Sequence, residues 1–208
     1  MKEELKGRFI VLDGPDGCGK STQAGLLAEW IASQGIAVAR FRDPGDTVVG
    51  EQIRHILLDP DHDRLCTHTE VMLYMAARTQ LWSEKLAPAL AEGRCVVMDR
   101  WVSSTCAYQG YAGRFGIDNV VSVASVSLEK VWPDLTIILD VDQQTASARM
   151  DRRLDRMEQK GAEYHSNVRK GFLELVNMYD RVVRIDASVS VEDVHSQIRR
   201  VIGSVFAE

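Results

Sequence analysis

The sequence predicts an α/β fold, a five-stranded parallel sheet with helices on both faces. Three observations predict it. Short runs rich in β-branched and apolar residues recur five times. Helical periodicities separate them, and strict alternation of strand and helix is the pattern of parallel strands joined by right-handed crossovers. The runs also lack polar alternation, as expected of strands buried on both faces.

The first run is Arg8 to Asp13 (RFIVLD), which feeds a glycine-rich turn and then a helix carrying Leu27, Trp30 and Ile31 before Gly35 closes it. Ile36 to Arg42 (IAVARFR) is the second strand, and Glu70 to Leu90 reads as a helix. Arg94 to Asp99 (RCVVMD), Asp134 to Val141 (DLTIILDV) and Arg181 to Asp186 (RVVRID) complete the strands. Val191, Val194, Ile198, Val201 and Val205 then stripe a terminal helix. The least hydrophobic stretch runs from Arg149 to Lys170. Its first part, Arg149 to Lys160, has five basic residues against three acidic ones, the composition of a mobile, solvated segment facing an anion. With no repeat, low-complexity tract or linker, residues 1–208 read as one domain.

Of the 208 residues 45% are hydrophobic and 26% charged, which is the balance of a folded chain rather than a disordered one. A formal charge of −5 gives no footprint for nucleic acid or an anionic membrane, so an anionic ligand must be met by a local cluster. No apolar run approaches the roughly 20 residues of a membrane span, and Met1 to Arg8 is charged, so a cytoplasmic protein is expected. Cys18, Cys66, Cys95 and Cys106 stand far apart with no C-x-x-C pair, which suggests reduced thiols rather than disulfides or a zinc site.

The most specific motif follows the first strand. Gly14-Pro15-Asp16-Gly17-Cys18-Gly19-Lys20-Ser21 satisfies G-x-x-x-x-G-K-[ST] in the strand-turn-helix setting that the phosphate-binding loop requires. Its glycines let successive N–H groups turn toward phosphate oxygens, and the helix N-terminus adds partial positive charge. Lys20 is expected to bridge the β- and γ-phosphates of a nucleoside triphosphate, and the Ser21 hydroxyl to ligate Mg²⁺. A guanine switch is disfavoured, because none of the three asparagines (Asn119, Asn167, Asn177) begins N-K-x-D. Asp99 and Asp140 both end apolar runs and so compete as the acid facing Ser21; Arg100 after Asp99 breaks the tie.

From Asp99 the chain reads Asp99-Arg100-Trp101-Val102-Ser103-Ser104-Thr105-Cys106-Ala107-Tyr108-Gln109-Gly110, which resembles the D-R-[YHW]-x-x-S-[ST]-x-A-Y-Q-G signature of thymidylate kinases. Further matches occur in order: Phe9 to Gln23, Arg42-Asp43-Pro44-Gly45 with Thr47 and Gly50, Glu70 to Gln80, Leu154 to Glu158 and Ile185-Asp186-Ala187. The resemblance implies a P-loop nucleoside-monophosphate-kinase fold with a short lid over about 149–160. It also implies transfer of the ATP γ-phosphoryl group to dTMP with Mg²⁺, and a homodimer. Arg42 and Arg100 would hold the dTMP phosphate, Asp16 would accept from the sugar 3′-hydroxyl, Tyr74, Arg78, Thr105 and Gln109 would line the thymine site, and Ser104 would be a further substrate-binding residue. Gly14 to Ser21 with Thr22 and Ala187 would hold ATP.

These roles suit the chemistry. The attacking phosphate oxygen is largely ionised at neutral pH, with a second pKa of about 6, so no general base is needed. Catalysis then rests on positioning and charge neutralisation, for which the planar fork of arginine is well shaped. One branch of the family carries an arginine in the P-loop. Gly17 stands there in this chain, so the lid is expected to supply it, from Arg149, Arg152, Arg153 or Arg156, with Arg153 the best match and Arg152 in reserve. Departures from the family's R-E-P-G-G-T are Asp43 for Glu and Asp46 for Gly. The second bears on the backbone, since Gly reaches φ > 0 freely and Asp less so. The alternative reading is a related P-loop kinase acting on another nucleoside monophosphate or a deoxynucleoside. Asp59, Asp61, Asp63 and Glu70 mimic calcium-loop spacing, but Arg64 replaces the turn glycine and a solvated loop is expected.

Overall fold

The structure is a computed structural model that describes residues 4–150 and 154–206. Its sheet contains β1 (Phe9–Asp13), β2 (Val38–Arg42), β3 (Cys95–Asp99), β4 (Leu135–Asp140) and β5 (Val182–Asp186), in the order β2-β3-β1-β4-β5 with every pairing parallel. The helices are α1 (Lys20–Ser33), α2 (Val48–Leu58), α3 (Thr67–Leu81), α4 (Ala87–Ala91), α5 (Val102–Thr105), α6 (Ile117–Ser127), α7 (Gln143–Ala148), α8 (Ala162–Met178) and α9 (Val191–Phe206). Residues of β1 alternate between two cores. Phe9 and Val11 join Val71, Met75, Trp101 and Phe172 on one face, while Ile10 and Leu12 join Leu27, Ile31 and Ile198 on the other.

The three inner strands are buried along their whole length, as their unbroken apolar runs require. The edge strands correct the expectation of burial on both faces: Arg40 and Arg42 in β2, and Arg184 and Asp186 in β5, are exposed. An edge strand has one unpaired side, where charged side chains stay in water. The helix expected over 70–90 forms as α3, widens into a π turn at Trp82–Leu86, and resumes as α4. Pro88, in the first turn of α4, lacks an N–H and crowds the preceding turn, which accounts for the widening. Because β2 and β3 lie on one side of β1 and β4 and β5 on the other, the chain diverges at the carboxyl end of β1 and leaves a crevice there.

Candidate functional site

That crevice is a cleft of about 900 Å³ lined by the P-loop, α2, α3, the segment after β3 and the turn after β5. The P-loop needs glycine at two points for steric reasons. Gly14 has φ 138°, and a Cβ there would stand 2.4 Å from the Leu139 carbonyl oxygen. Gly17 has φ 77°, and its Cβ would stand 2.3 Å from the Ala146 oxygen in α7. This second contact explains physically why no side chain, arginine included, occupies position 17. Lys20 Nζ donates to the Gly14 and Pro15 carbonyls at 3.1 and 2.7 Å, so its ammonium lies within the loop. Among the described residues no side chain caps the first turn of α1, which leaves its N–H groups to an anion.

The structure separates the two competing acids. Ser21 Oγ donates to Asp99 Oδ2 at 2.5 Å, whereas Asp140 is held by Arg169 at 2.6 Å and Arg184 at 2.7 Å, away from the P-loop serine. The Ser21 hydroxyl and Asp99 carboxylate form an all-oxygen pair beside Lys20, the donor chemistry that Mg²⁺ shared with substrate phosphates takes. Asp13, at the end of β1, accepts from Ser103 at 2.6 Å, Ser104 at 2.7 Å and the Gly14 N–H at 2.9 Å.

Across the cleft stands Arg100, in the left-handed region with φ 73°, an uncommon conformation for a residue with a side chain. Its guanidinium donates to the Gly14 carbonyl and Ser104 Oγ at 3.0 Å each, pairs with Asp16, and lies 5.4 Å over the Tyr108 ring. Tyr108 Oη donates to the other Asp16 oxygen at 2.7 Å. Burial pushes the Asp16 carboxyl up, but Arg100, then Lys20 and the Tyr108 hydroxyl outweigh it, and its pKa falls below the ordinary aspartate value. Arg42 pairs with Glu51 at 2.7 Å on the rim. Asp46 adopts φ 60°, its carboxylate accepting the Arg42 N–H at 2.6 Å and its own N–H donating to Glu51 at 2.8 Å.

The four base-pocket residues also converge on the cleft. Tyr74 and Arg78 share a face of α3, and burial, then Glu70, raises the Tyr74 pKa, so the ring is a neutral stacking surface. Arg78 is fully buried: Nε and Nη2 donate to Asp43 Oδ2 at 2.7 and 2.5 Å, and Nη2 also reaches Thr105 Oγ1 at 3.1 Å. Burial raises the Asp43 pKa, Arg78 opposing it. Gln109 lies in a π-helical segment, Cys106–Ala112, and donates Nε2 to Glu70 at 2.9 Å. Such widened turns redirect side chains that a regular helix would carry elsewhere.

A family model described as Thymidylate kinase matches residues 12–198. The chain belongs to the thymidylate kinase family. It is 41% identical to the thymidylate kinase of Exiguobacterium sp. over 197 residues, 93% of each chain. Over 209 residues it is 37% identical to that of Bacillus licheniformis, covering 98% of this chain and 99% of the relative. The crystal structure of thymidylate kinase from Ehrlichia chaffeensis superposes with a TM-score of 0.78 at 27% identity, covering 95% of this chain and 98% of that one.

The family's lid segment differs from a uniformly solvated strap. Arg152 and Arg153 lie outside the described residues. Arg149 donates to the Ala187 carbonyl at 2.9 Å, at the turn after β5 that lines the cleft. Arg156, Met157 and Glu158 are buried, which corrects the expectation of a solvated segment through to Lys160. The reason is a set of internal partners: Arg156 Nε donates to the Leu57 carbonyl at 2.7 Å and Nη1 to Glu70 at 2.6 Å, so Arg156 is engaged by α2 and α3 rather than lining the cleft. The same pairing turns Glu70 inward from the exposed Asp61 and Asp63, leaving the calcium-like spacing a solvated turn. Sequence reasoning missed Arg54 on α2. It lines the cleft and donates to the Pro44 carbonyl at 3.0 Å, and burial, then the like charge of Arg42, holds its pKa down. Its only sequence signal is its place one turn after Glu51, the partner of Arg42.

Proposed function

We infer that this cleft transfers the γ-phosphoryl group of ATP to dTMP, giving dTDP and ADP; the chain is a dTMP kinase. The observation that carries the reading is the facing of a P-loop by a second set of arginines, Arg42, Arg54 and Arg100, with a base pocket beyond them. A nucleotide switch needs no second phosphate clamp. ATP would lie along Gly14 to Thr22, with Lys20 against the β- and γ-phosphates and adenine by Ala187, where Arg149 closes the wall. The Ser21 hydroxyl and Asp99 would hold Mg²⁺, which when bound neutralises phosphate charge.

On the acceptor side the dTMP phosphate is itself the nucleophile, and the arginines bring its oxygen into line against mutual charge repulsion. Like-charge crowding among Arg42, Arg54 and Arg100 is relieved when a dianion enters, which favours a phosphate over a neutral sugar hydroxyl. Asp16, held ionised by Arg100, Lys20 and Tyr108, offers an acceptor to the sugar 3′-hydroxyl. The lid over 149–160 closes on both nucleotides, with Arg153 or Arg152 stabilising the transferring group. Val48, Val49, Ile56 and Met72 stand exposed on α2 and α3, and this apolar surface supports a homodimer. The enzyme acts as a single catalytic domain on free nucleotides in the cytoplasm, without a nucleic-acid or membrane partner. Among the described residues no helix is long and apolar enough to cross a membrane.

The test is ADP release measured with dTMP, dUMP, dCMP, dGMP and thymidine. Efficiency should be highest with dTMP, lower by about 10- to 200-fold with dUMP for one lost methyl, and negligible with thymidine. Equal turnover with dGMP or thymidine would defeat the assignment.

A further inference from the structure

Glu70 is buried in the first turn of α3, and its carboxylate gathers groups from distant parts of the chain: Gln109 Nε2 at 2.9 Å, Arg156 Nη1 at 2.6 Å and Lys160 Nζ at 3.1 Å. The two cations compensate a charge that would otherwise be costly to bury. The third contact sets an orientation. A carboxylate accepts hydrogen bonds and does not donate them, so only the NH₂ end of the Gln109 amide can meet it. Nε2 therefore faces Glu70 and Oε1 faces away, and no donor among the described residues is bonded to Oε1. Gln109 lines the cleft beside Tyr74, Arg78 and Thr105.

We propose that Glu70 is a positioning residue for base selection: by fixing the Gln109 amide end for end, it makes the pocket present a hydrogen-bond acceptor to a base that carries N3–H. The proposal rests on the thymidylate reading above and deepens it. A keto pyrimidine offers N3–H as donor and O4 as acceptor, whereas cytosine offers a bare N3 and an exocyclic amine. Arg78, whose fork is aligned by Asp43, can only donate. An oriented Gln109 carbonyl and an oriented Arg78 thus match thymine or uracil at both positions and oppose cytosine at both. Freed from Glu70, the Gln109 amide can rotate and meet either base.

Glu70→Gln supplies an amide that can pair with either end of Gln109. The measurement is kcat/KM for dTMP and dCMP, and the dTMP:dCMP ratio should fall by about tenfold or more, the scale of one reoriented hydrogen bond. Glu70→Asp, still acceptor-only, should keep the ratio within about threefold even where turnover drops. In a Gln109→Ala background, Glu70→Gln should change the ratio less than about twofold, because the group through which Glu70 acts is gone. An unchanged ratio in Glu70→Gln, or losses from the two positions that simply add, would overturn the proposal and leave Glu70 only the anchor of Arg156. Should Glu70→Gln fail to fold, side-chain amide exchange in the parent decides by NMR. Exchange of Gln109 slower than that of the exposed Gln52 by about tenfold supports the proposal, and equal rates overturn it. A parent without preference for dTMP over dCMP would instead defeat the thymidylate reading, while the Gln109 exchange rate still reports on Glu70.

Discussion

Arg54→Ala tests the acceptor clamp at the residue that the sequence did not announce. Its guanidinium is partly buried, makes one bond of its own to the Pro44 carbonyl, and is pressed by the positive charge of Arg42 and Arg100, with Glu51 opposing. Most of its fork is therefore uncommitted and poorly hydrated, the condition under which an incoming phosphate gains most. A hydrogen bond to a charged group is worth about 1.5–3 kcal/mol, so its loss should lower kcat/KM for dTMP by about 10- to 150-fold. Arg42 provides the contrast: its side chain is 45% exposed and already paired with Glu51, and exposed pairs contribute about 0–1 kcal/mol. Arg42→Ala should also lower dTMP efficiency, but less than Arg54→Ala, because its solvated guanidinium must leave Glu51 to meet the phosphate. The assay is steady-state ADP release with dTMP varied at saturating ATP and then the reverse. The loss in Arg54→Ala should lie in the dTMP titration, with the Michaelis constant for ATP within about twofold of the parent. If Arg54→Ala keeps its dTMP efficiency within about threefold of the parent, or if ATP and dTMP suffer equally, charge crowding is not what selects the phosphate.

Lys20→Ala should remove phosphoryl transfer while circular dichroism and the unfolding midpoint stay near those of the parent, since among the described residues the Lys20 ammonium hydrogen-bonds only within its own loop. Arg153→Ala or Arg152→Ala should lower turnover by about 10³-fold with little change in either Michaelis constant; retention of turnover by both would place the compensating charge elsewhere. Gly17→Ala should destabilise by more than about 2 kcal/mol, adding a backbone clash to left-handed strain of about 1–2 kcal/mol, whereas Gly19→Ala, with open space around its Cβ, should show the strain alone in urea unfolding. Asp16 has a folded pKa below its unfolded value, so its contribution is present above about pH 4 and is lost as pH falls through the folded value. The stability gap between the parent and Asp16→Asn should therefore be flat from about pH 7 to 5 and shrink on further acidification; a gap that widens there would reverse the sign.

What was legible beforehand was local. The P-loop could be read because eight consecutive residues carry it, and the inner strands because their apolar runs are unbroken. The edge positions of β2 and β5 could not be read in the same way: Ile36 to Arg42 and Arg181 to Asp186 have strand composition, but their place in the sheet depends on the order in which other strands pair. Asp99 and Asp140 show the same limit. Both end an apolar run, and what distinguishes them is that Arg169 and Arg184 occupy one while Ser21 meets the other.

The departures from the family pattern carry a second lesson, because each is intelligible only through a partner far away in the chain. Asp43 is a shorter acid than the family's glutamate, yet it reaches Arg78 with two bonds because β2 ends beside α3, thirty-five positions apart in sequence. Gly17 leaves the P-loop without an arginine, and the Ala146 carbonyl occupies the space a Cβ there would need, so the packing of α7 excludes a side chain from that position. Arg156 looked like a lid cation by composition, and Glu70, eighty-six positions earlier, removes it from that role. In each case the residue type was visible and its role was not, since a charged side chain acts through whichever opposite charge the fold brings within about 3 Å. The same reasoning bears on Arg152 and Arg153. Of the four arginines that the basic segment offers, Arg149 and Arg156 bond to Ala187 and Glu70, which is why the proposed lid contribution to phosphoryl transfer is tested first at Arg152 and Arg153.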